Sequence, residues 1–482
     1  MNNYPKGSEW RLWDLHIHTP ASYNYQSGKF ATMTREQKET AISQIIKNIN
    51  DSDVAVYGIN DYWTFDGYLA TRDAQNKGAD MNKTIFPGIE LRLEAATNHR
   101  LNVHVLFSDE LTNQELIDFK SALKLRLIER SLSDEALIAF AKLLDPDKAK
   151  KHGVVNLKNA TDEALFELGA STAEITRASF KEALDVIPKS KRLVMIPYDC
   201  YGGMQKVDWQ KQMAEDLYLL QLVDVVEERD EDNIDLFSGI ETKANKDFLE
   251  NFQIAIGGHP KPCVSGSDGH SIGSFKTWRR ETCTKKTWIK ADPTFEGLRQ
   301  IVFEPQSRVR VQEHSPVTGY AKPFFRSISI AEQIAPFPEN ETFENPRFDK
   351  NESIHLNRDL VCIIGGRGTG KSTLVDYLGQ AFGGHSQIKY ELSQHFSVAY
   401  NKDNDSSSSH HALETTQLPF VYISQNEVKE KIDAGTVGDE IKKMLGIGDL
   451  TFNNDVDNET KKLLFKVTDI NNWFEQRGED GG

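Results

Sequence analysis

The sequence predicts an α/β fold in two parts, a barrel-like domain of seven strands followed by a smaller α/β domain. Three observations predict it. Seven short apolar runs recur: RLWDLHIH (11–18), VAVYGIND (54–61), IFPGIE (85–90), LNVHVLF (101–107), RLVMIPYD (192–199), LVDVVEE (222–228) and PCVSGSDGH (262–270). Helical patterns lie between several of them, such as TREQKETAISQIIKNI (34–49) with apolar spacing near 3.6. Strands alternating with helices argue for parallel strands. Polar residues gather at the C-terminal ends of the runs, the end where barrels carry their chemistry.

The gap between the fourth and fifth runs, residues 110–191, reads as charged helices, LTNQELIDFKSALKLRLIERSL and SDEALIAFAKLL being the clearest. A structureless loop of that length would be unusual, so it is taken as a helical insertion or lid. The first domain is expected over 1–310. The Pro-rich stretch 311–350 reads as a linker and 351–482 as the second domain. Within the latter, NKDNDSSSSHHALE (401–414) reads as a mobile polar loop.

Composition excludes several classes. The 482 residues suffice for two or three domains. No stretch is long and apolar enough to cross a bilayer, and the start MNNYPKGSEWRLWD lacks a signal pattern. The expected compartment is the cytoplasm, with no membrane partner. The four cysteines, Cys200, Cys263, Cys283 and Cys362, form no C-x-x-C pair. A disulfide framework and a cysteine zinc site are therefore disfavoured, and any metal needs His, Asp and Glu ligands. A net charge of −15 does not attract nucleic acid. Contact with nucleic acid would need local basic groups such as Arg279 and Arg280, a partner chain, or metal ions.

The ends of the runs supply a ligand set. His16 and His18 are spaced i, i+2 and so share one face of a strand. Taken alone, the pair fits two polar residues alternating with Leu15 and Ile17 as well as it fits a metal. Asp61, Glu90, His104, Asp199, and Asp268 with His270 add to it. Ionisable groups at so many strand ends are costly unless paired or metal-bound. Nitrogen and carboxylate ligands suit zinc, manganese or iron, and their number suggests two or three ions bridged by Glu90.

The string DLHIHT, GIND, GIE, the histidine of VHVLF, and GSDGH resembles the PHP (polymerase and histidinol phosphatase) domain over roughly residues 8–310. The resemblance implies a distorted seven-stranded barrel that binds up to three divalent ions and cleaves phosphoester bonds. It implies His16, His18, Glu90, His104, Asp268 and His270 as ligands and catalytic centre, with Asp61 alongside. Two positions depart from the pattern. Tyr62 follows Asp61 where that family usually has histidine, and Asp199 stands where a fifth-motif histidine is usual.

The second domain carries G-x-x-x-x-G-K-S, from Gly365 to Ser372, after the apolar run LVCII and before TLVDYLGQAF. Strand, glycine loop and helix in that order define a Walker A motif, whose backbone N–H groups wrap phosphates. Gly365, Gly366, Arg367, Gly368, Thr369, Gly370, Lys371, Ser372 and Thr373 would bind ATP, with Lys371 on the β- and γ-phosphates and Ser372 on Mg²⁺. PFVYISQNEV (419–428) resembles the Q-loop strand of ABC-type ATPases of the SMC kind, with Gln425 as its glutamine. A PHP barrel before such an ATPase resembles the TrlF-like fusions. No signature loop or Walker B strand is found, so the stretch is expected to be the N-terminal lobe of a longer ATPase acting as a dimer or with a partner chain. The expected function is a nuclease or phosphodiesterase regulated by that lobe, in DNA processing or defence. A small-molecule phosphomonoesterase, or a degenerate barrel on a nucleotide switch, stands as the alternative.

Overall fold

The structure is a computed structural model describing residues 4, 6–94, 101–198, 203–204, 219–274, 284–318, 322–338, 347–384, 386, 388–402, 406–414 and 417–424, and thereafter 427, 430, 432–436, 438, 463 and 467. The chain divides into two units, Met1–Ala321 and Lys322–Gly482.

The first unit is a nine-stranded sheet in the order β7-β6-β5-β4-β3-β2-β1-β8-β9. The strands are β1 (Trp10–Ile17), β2 (Val54–Tyr62), β3 (Thr84–Leu93), β4 (Leu101–Phe107), β5 (Arg192–Pro197), β6 (Val225–Glu227), β7 (Cys263–Val264), β8 (Lys286–Lys290) and β9 (Val309–Gln312). The seven apolar runs thus become the first seven strands. Two expectations are corrected. The sheet is mixed rather than parallel, because β4 runs antiparallel to both β3 and β5. Two further strands, β8 and β9, extend it antiparallel beyond β1.

The sheet nearly closes on itself. β1 pairs with β8 only over Trp10–Trp13. Farther along, the segment after β7 takes β8's place: Asp268 N donates to the His16 carbonyl at 2.8 Å and His18 N to the Gly269 carbonyl at 3.0 Å. Gly266 permits this approach, since a Cβ there would lie 2.2 Å from His16 Cβ.

Alternation along the strands sorts the side chains. Leu15, Val56, Phe86, Leu106, Met195, Val225 and Val264 form the inner core, with Phe295, Leu298 and Ile301 of the helix Phe295–Phe303. The opposite faces, with Tyr57, Ile59, Ile89, Leu91, Val103 and Val105, pack under the helices. Among these helices, α1 (Arg35–Asn50) starts at a Thr34–Gln37 capping box and buries Ile42, Ile45, Ile46 and Ile49; α2 (Asp66–Asn76) follows β2.

Between β4 and β5 lie five helices: α3 (Asn113–Ala122), α4 (Asp134–Ala141), α5 (Pro146–Lys151), α6 (Asp162–Thr172) and α7 (Arg177–Val186). Ala141, Ala149, Leu165 and Leu168 give this insertion a small core of its own. It touches the barrel where Trp63 Nε1 donates to the Ala170 carbonyl at 2.9 Å.

The second unit holds an antiparallel sheet of β10 (Phe324–Ile330), β11 (Asn351–His355), β12 (Phe396–Asn401) and β13 (Ser407–His411), in the order β11-β10-β12-β13. Tyr377 and Phe382 of the helix Lys371–Gly383 pack with Ile328, Phe396 and Val398. Three expectations differ here. The stretch read as a linker contains β10, a central strand whose Ile328 and Ile330 are core residues. The polar run SSSSHH pairs as β13 with β12, because an edge strand needs only its backbone for pairing. Neither LVCII nor the described part of PFVYISQNEV forms a strand, and Leu360 and Ile364 are 75% and 91% exposed. Among the described residues of the chain no helix is long and apolar enough to cross a membrane.

Candidate metal centre

The polar cluster lies on the inner face of the barrel, one or two alternations beyond the apolar layer. Glu90 follows Phe86 by four residues, Glu227 follows Val225 by two, and Asp268 follows Val264 by four. His104 precedes Leu106 by two because β4 is reversed, which sets it directly opposite Glu90. On β1 the parity is broken. Asp14 pairs with Tyr57 but Ile17 with Ile59, so β1 carries one extra residue between them. Such a bulge re-aims side chains, and it lets His16 and His18 share the interior with Trp13 and Leu15.

Four ligand atoms converge. His16 Nε2 and His18 Nε2 are 3.2 Å apart. Asp268 Oδ1 lies 3.4 Å and 3.3 Å from them, and Glu90 Oε2 lies 3.5 Å and 3.3 Å away. An ion bound at about 2.0–2.1 Å in tetrahedral geometry separates its ligands by roughly 3.3–3.4 Å. His16, His18 and Glu90 are fully buried, and Asp268 opens slightly to the surface. Asp268 adopts φ 51°, a conformation that aspartate tolerates and that concentrates at functional sites.

The surrounding contacts orient these ligands. His16 Nδ1 lies 3.0 Å from Glu227 Oε2, and His18 Nδ1 lies 3.0 Å from Ser22 Oγ. With each Nδ1 proton donated outward, both Nε2 lone pairs face the gap between them, the arrangement metal-binding histidines take. Glu227 is itself fixed: its Oε1 accepts from Arg229 Nη2 at 2.8 Å and from Gly266 N at 3.3 Å. Asn102 Nδ2 donates to Glu90 Oε1 at 2.7 Å, while the buried Glu90 Oε2 has no hydrogen-bond partner. Neither ring nitrogen of His104 has one either. Orphaned buried acceptors beside two facing imidazoles fit a cation.

The electrostatics agree. Burial pushes Glu90 up, yet His104 and the nearby imidazoles of His16 and His18 outweigh it and hold the carboxyl well below its usual range. Burial likewise lifts Glu227, but His16 and Arg229 bring it down to about 2. Burial lowers His104 to about 4, helped by His16, so this imidazole is neutral at pH 7. Burial would lower His18, but Asp268 and Glu90 raise it to about 9. The carboxylates thus draw positive charge into this gap.

The other expected ligands are placed differently. Asp61 shares parity with Tyr57 and Ile59, and both its oxygens accept from Thr19, from N and from Oγ1, at 2.7 Å each. It pins the turn after β1. Tyr62 has the inward parity, and its ring stacks on His18 at 5.3 Å and 7°. His270 sits at the rim, with Nε2 2.8 Å from Asn24 Nδ2 and Nδ1 2.8 Å from the Asp268 carbonyl. Asp199, Arg279 and Arg280 lie outside the described residues. The sequence reading missed Glu227, which joins His16 and His104 in a group of closely spaced potential ligands. The signal was present in the alternation of VVEE from Val225, which turns Glu227 and not Glu228 inward.

In the second unit the glycine loop folds against its own lysine. Lys371 Nζ donates to the Gly365 and Gly366 carbonyls at 2.9 Å and 2.6 Å. Gly368 and Gly370 have φ of +81° and +83°, and Gly370 caps the helix that Lys371 begins. Arg367, Thr369, Ser372 and Thr373 lie in the same loop and first turn. Gln425 is outside the described residues.

No family model and no curated protein matches the chain. An amidohydrolase from Chromobacterium violaceum, solved with bound sulfate and no metal, is 13% identical. The match covers 62% of this chain and 98% of that one at a TM-score of 0.28. A candidate metal-dependent phosphoesterase from Bifidobacterium adolescentis is 14% identical, covering 55% of this chain and 90% of that one at a TM-score of 0.24.

Proposed function

We propose that the first unit is a metal-dependent phosphodiesterase acting on nucleic acid, in the manner of PHP domains, and that the second unit binds ATP with Mg²⁺ and regulates it. One observation carries the hydrolase reading: two imidazole nitrogens and the carboxylates of Glu90 and Asp268 converge within 3.5 Å on the inner face of a barrel. The phosphoester part comes from the motif resemblance. The nucleic-acid part rests on a PHP-like motif set in one chain with a Walker A loop and an SMC-like Q-loop motif at Gln425. ABC-type sites form between two lobes, so the proposed assembly is a homodimer, or a complex with a partner chain, in the cytoplasm.

A divalent ion, when bound, lowers the pKa of its water from about 15.7 to about 7 and neutralises phosphate oxygens. The residues of this chain prepare that chemistry. Glu227 and Ser22 hold the two histidines with Nε2 inward, Asn102 fixes Glu90, and the hydrogen bonds of Asp268 and Gly269 to β1 fix the last carboxylate. In the second unit Gly368 and Gly370 supply the left-handed turns that a phosphate-wrapping loop needs.

The test is a substrate panel: labelled single- and double-stranded DNA, RNA and a chromogenic phosphomonoester, each with Mn²⁺, Mg²⁺ or Zn²⁺. Polymer cleavage that a chelator abolishes is expected. Turnover of the monoester alone would move the reading to a small-molecule phosphatase. No turnover with any metal, with nucleotide still bound, would leave a scaffold on a nucleotide switch. Lys371→Ala should weaken binding of labelled ATP at least about tenfold, the loss of a charge-assisted contact, with the metal content unchanged.

A further inference from the structure

The motif resemblance implies two or three ions. We propose instead that the centre holds one tightly bound divalent ion, on His16, His18, Glu90 and Asp268, with the buried guanidinium of Arg92 as a second positive charge beside it. The proposal rests on the metal-dependent reading above.

A second ion would have to compete for donor atoms that already hold hydrogen bonds. Both oxygens of Asp61 are taken by Thr19. Both nitrogens of His270 are engaged, one by Asn24 and one by the Asp268 carbonyl. Glu90 Oε1, the oxygen left for bridging, accepts from Asn102. Tyr62, inward on β2, offers a phenol, which keeps its proton at neutral pH. A group of His16, His104 and Glu227 is close enough for an ion. Yet His16 Nδ1 donates its proton to Glu227 in the tautomer that frees Nε2 for the first ion, and Glu227 Oε1 is paired with Arg229. That leaves His104 as the uncommitted donor among the described residues, Asp199 lying outside them, and one donor does not hold an ion.

Arg92 stands two residues beyond Glu90 on β3 and so shares its face. It is 3% exposed. Its guanidinium lies 5.1 Å from the Tyr62 ring centroid and 5.7 Å from that of Tyr23. Nη2 donates to Tyr23 Oη at 2.6 Å, Nη1 donates to the Ala170 carbonyl, and Nε is buried with no hydrogen-bond partner. Among the described residues no carboxylate pairs with it. A buried cation without a direct counter-ion is costly, and the nearby cluster accounts for it. One divalent ion balances Glu90 and Asp268, and Arg229 balances Glu227. Arg92 then adds a positive charge on the face that Glu90 shares, where a phosphodiester carries a negative one.

The experiment is metal counting by mass spectrometry on protein saturated with Mn²⁺ and desalted, alongside turnover of bis(p-nitrophenyl) phosphate. About one ion per chain is expected. Two or more overturns the proposal, whereas none overturns the metal-dependent reading itself. Arg92→Gln, which removes the charge and keeps a polar side chain, should retain one ion and raise KM about tenfold. Arg92→Lys should retain one ion and stay within about twofold of the parent. An unchanged KM in Arg92→Gln with one ion bound overturns the role given to the charge.

Discussion

Replacing His16 and His18 together by alanine should remove the tightly bound metal and lower metal-dependent phosphodiester turnover by about a thousandfold or more. The two Nε2 atoms are half of the converging donor set, and Glu90 and Asp268 each approach both of them. Without the imidazoles two carboxylates face each other across a buried gap, a weaker and less selective site. Losing a metal that activates water and stabilises charge removes several kcal/mol of transition-state stabilisation, each 1.36 kcal/mol or so being about tenfold. A second readout separates loss of metal from loss of fold. A ligand at a hundred times its dissociation constant adds about 2.7 kcal/mol of stability. Added Mn²⁺ should therefore raise the melting temperature of the parent and not of the double variant. A variant that still gains stability from Mn²⁺ would mean that these histidines are not the ligands.

Much of this site can be read from the sequence because strands alternate. Phe86 and Glu90, Leu106 and His104, and Val264 and Asp268 lie an even number of residues apart, so apolar core and inward polar group share a face. The same rule sets Asp61 apart, since it keeps step with Tyr57 and Ile59 on the outer face, and brings Tyr62 inward. The bulge in β1 is not legible, because one extra residue leaves no mark in the string LHIH. Nor is the reversal of β4, which depends on strand neighbours rather than on the strand itself. The second unit shows the same limit. A Pro-rich stretch can contain a core strand at Phe324–Ile330, and a serine run can pair at an edge, because pairing is decided by what lies alongside.

Arg229→Met should destabilise the first unit by about 3–5 kcal/mol, the usual result of removing one partner from a buried ion pair. Glu227 is fully buried, and Arg229 contributes the 2.8 Å contact to its Oε1. Arg229 also donates from Nε to Ser265 Oγ at 2.9 Å, tying β6 to the strand that closes the barrel. At roughly 2–4 °C per kcal/mol for a large domain, the melting temperature should fall by about 10 °C, measured by calorimetry. Glu227→Gln together with Arg229→Met should recover part of that loss, because a neutral amide no longer needs a counter-charge. The single and double variants should differ in the opposite sense in metal affinity. Arg229→Met keeps the carboxylate that fixes His16 with Nδ1 protonated, whereas the amide can present either its oxygen or its nitrogen to that ring. Recovery of stability without recovery of metal affinity is the result expected if the buried pair serves His16. Equal recovery of both would make the pair a structural strut and leave the orientation of His16 to other contacts.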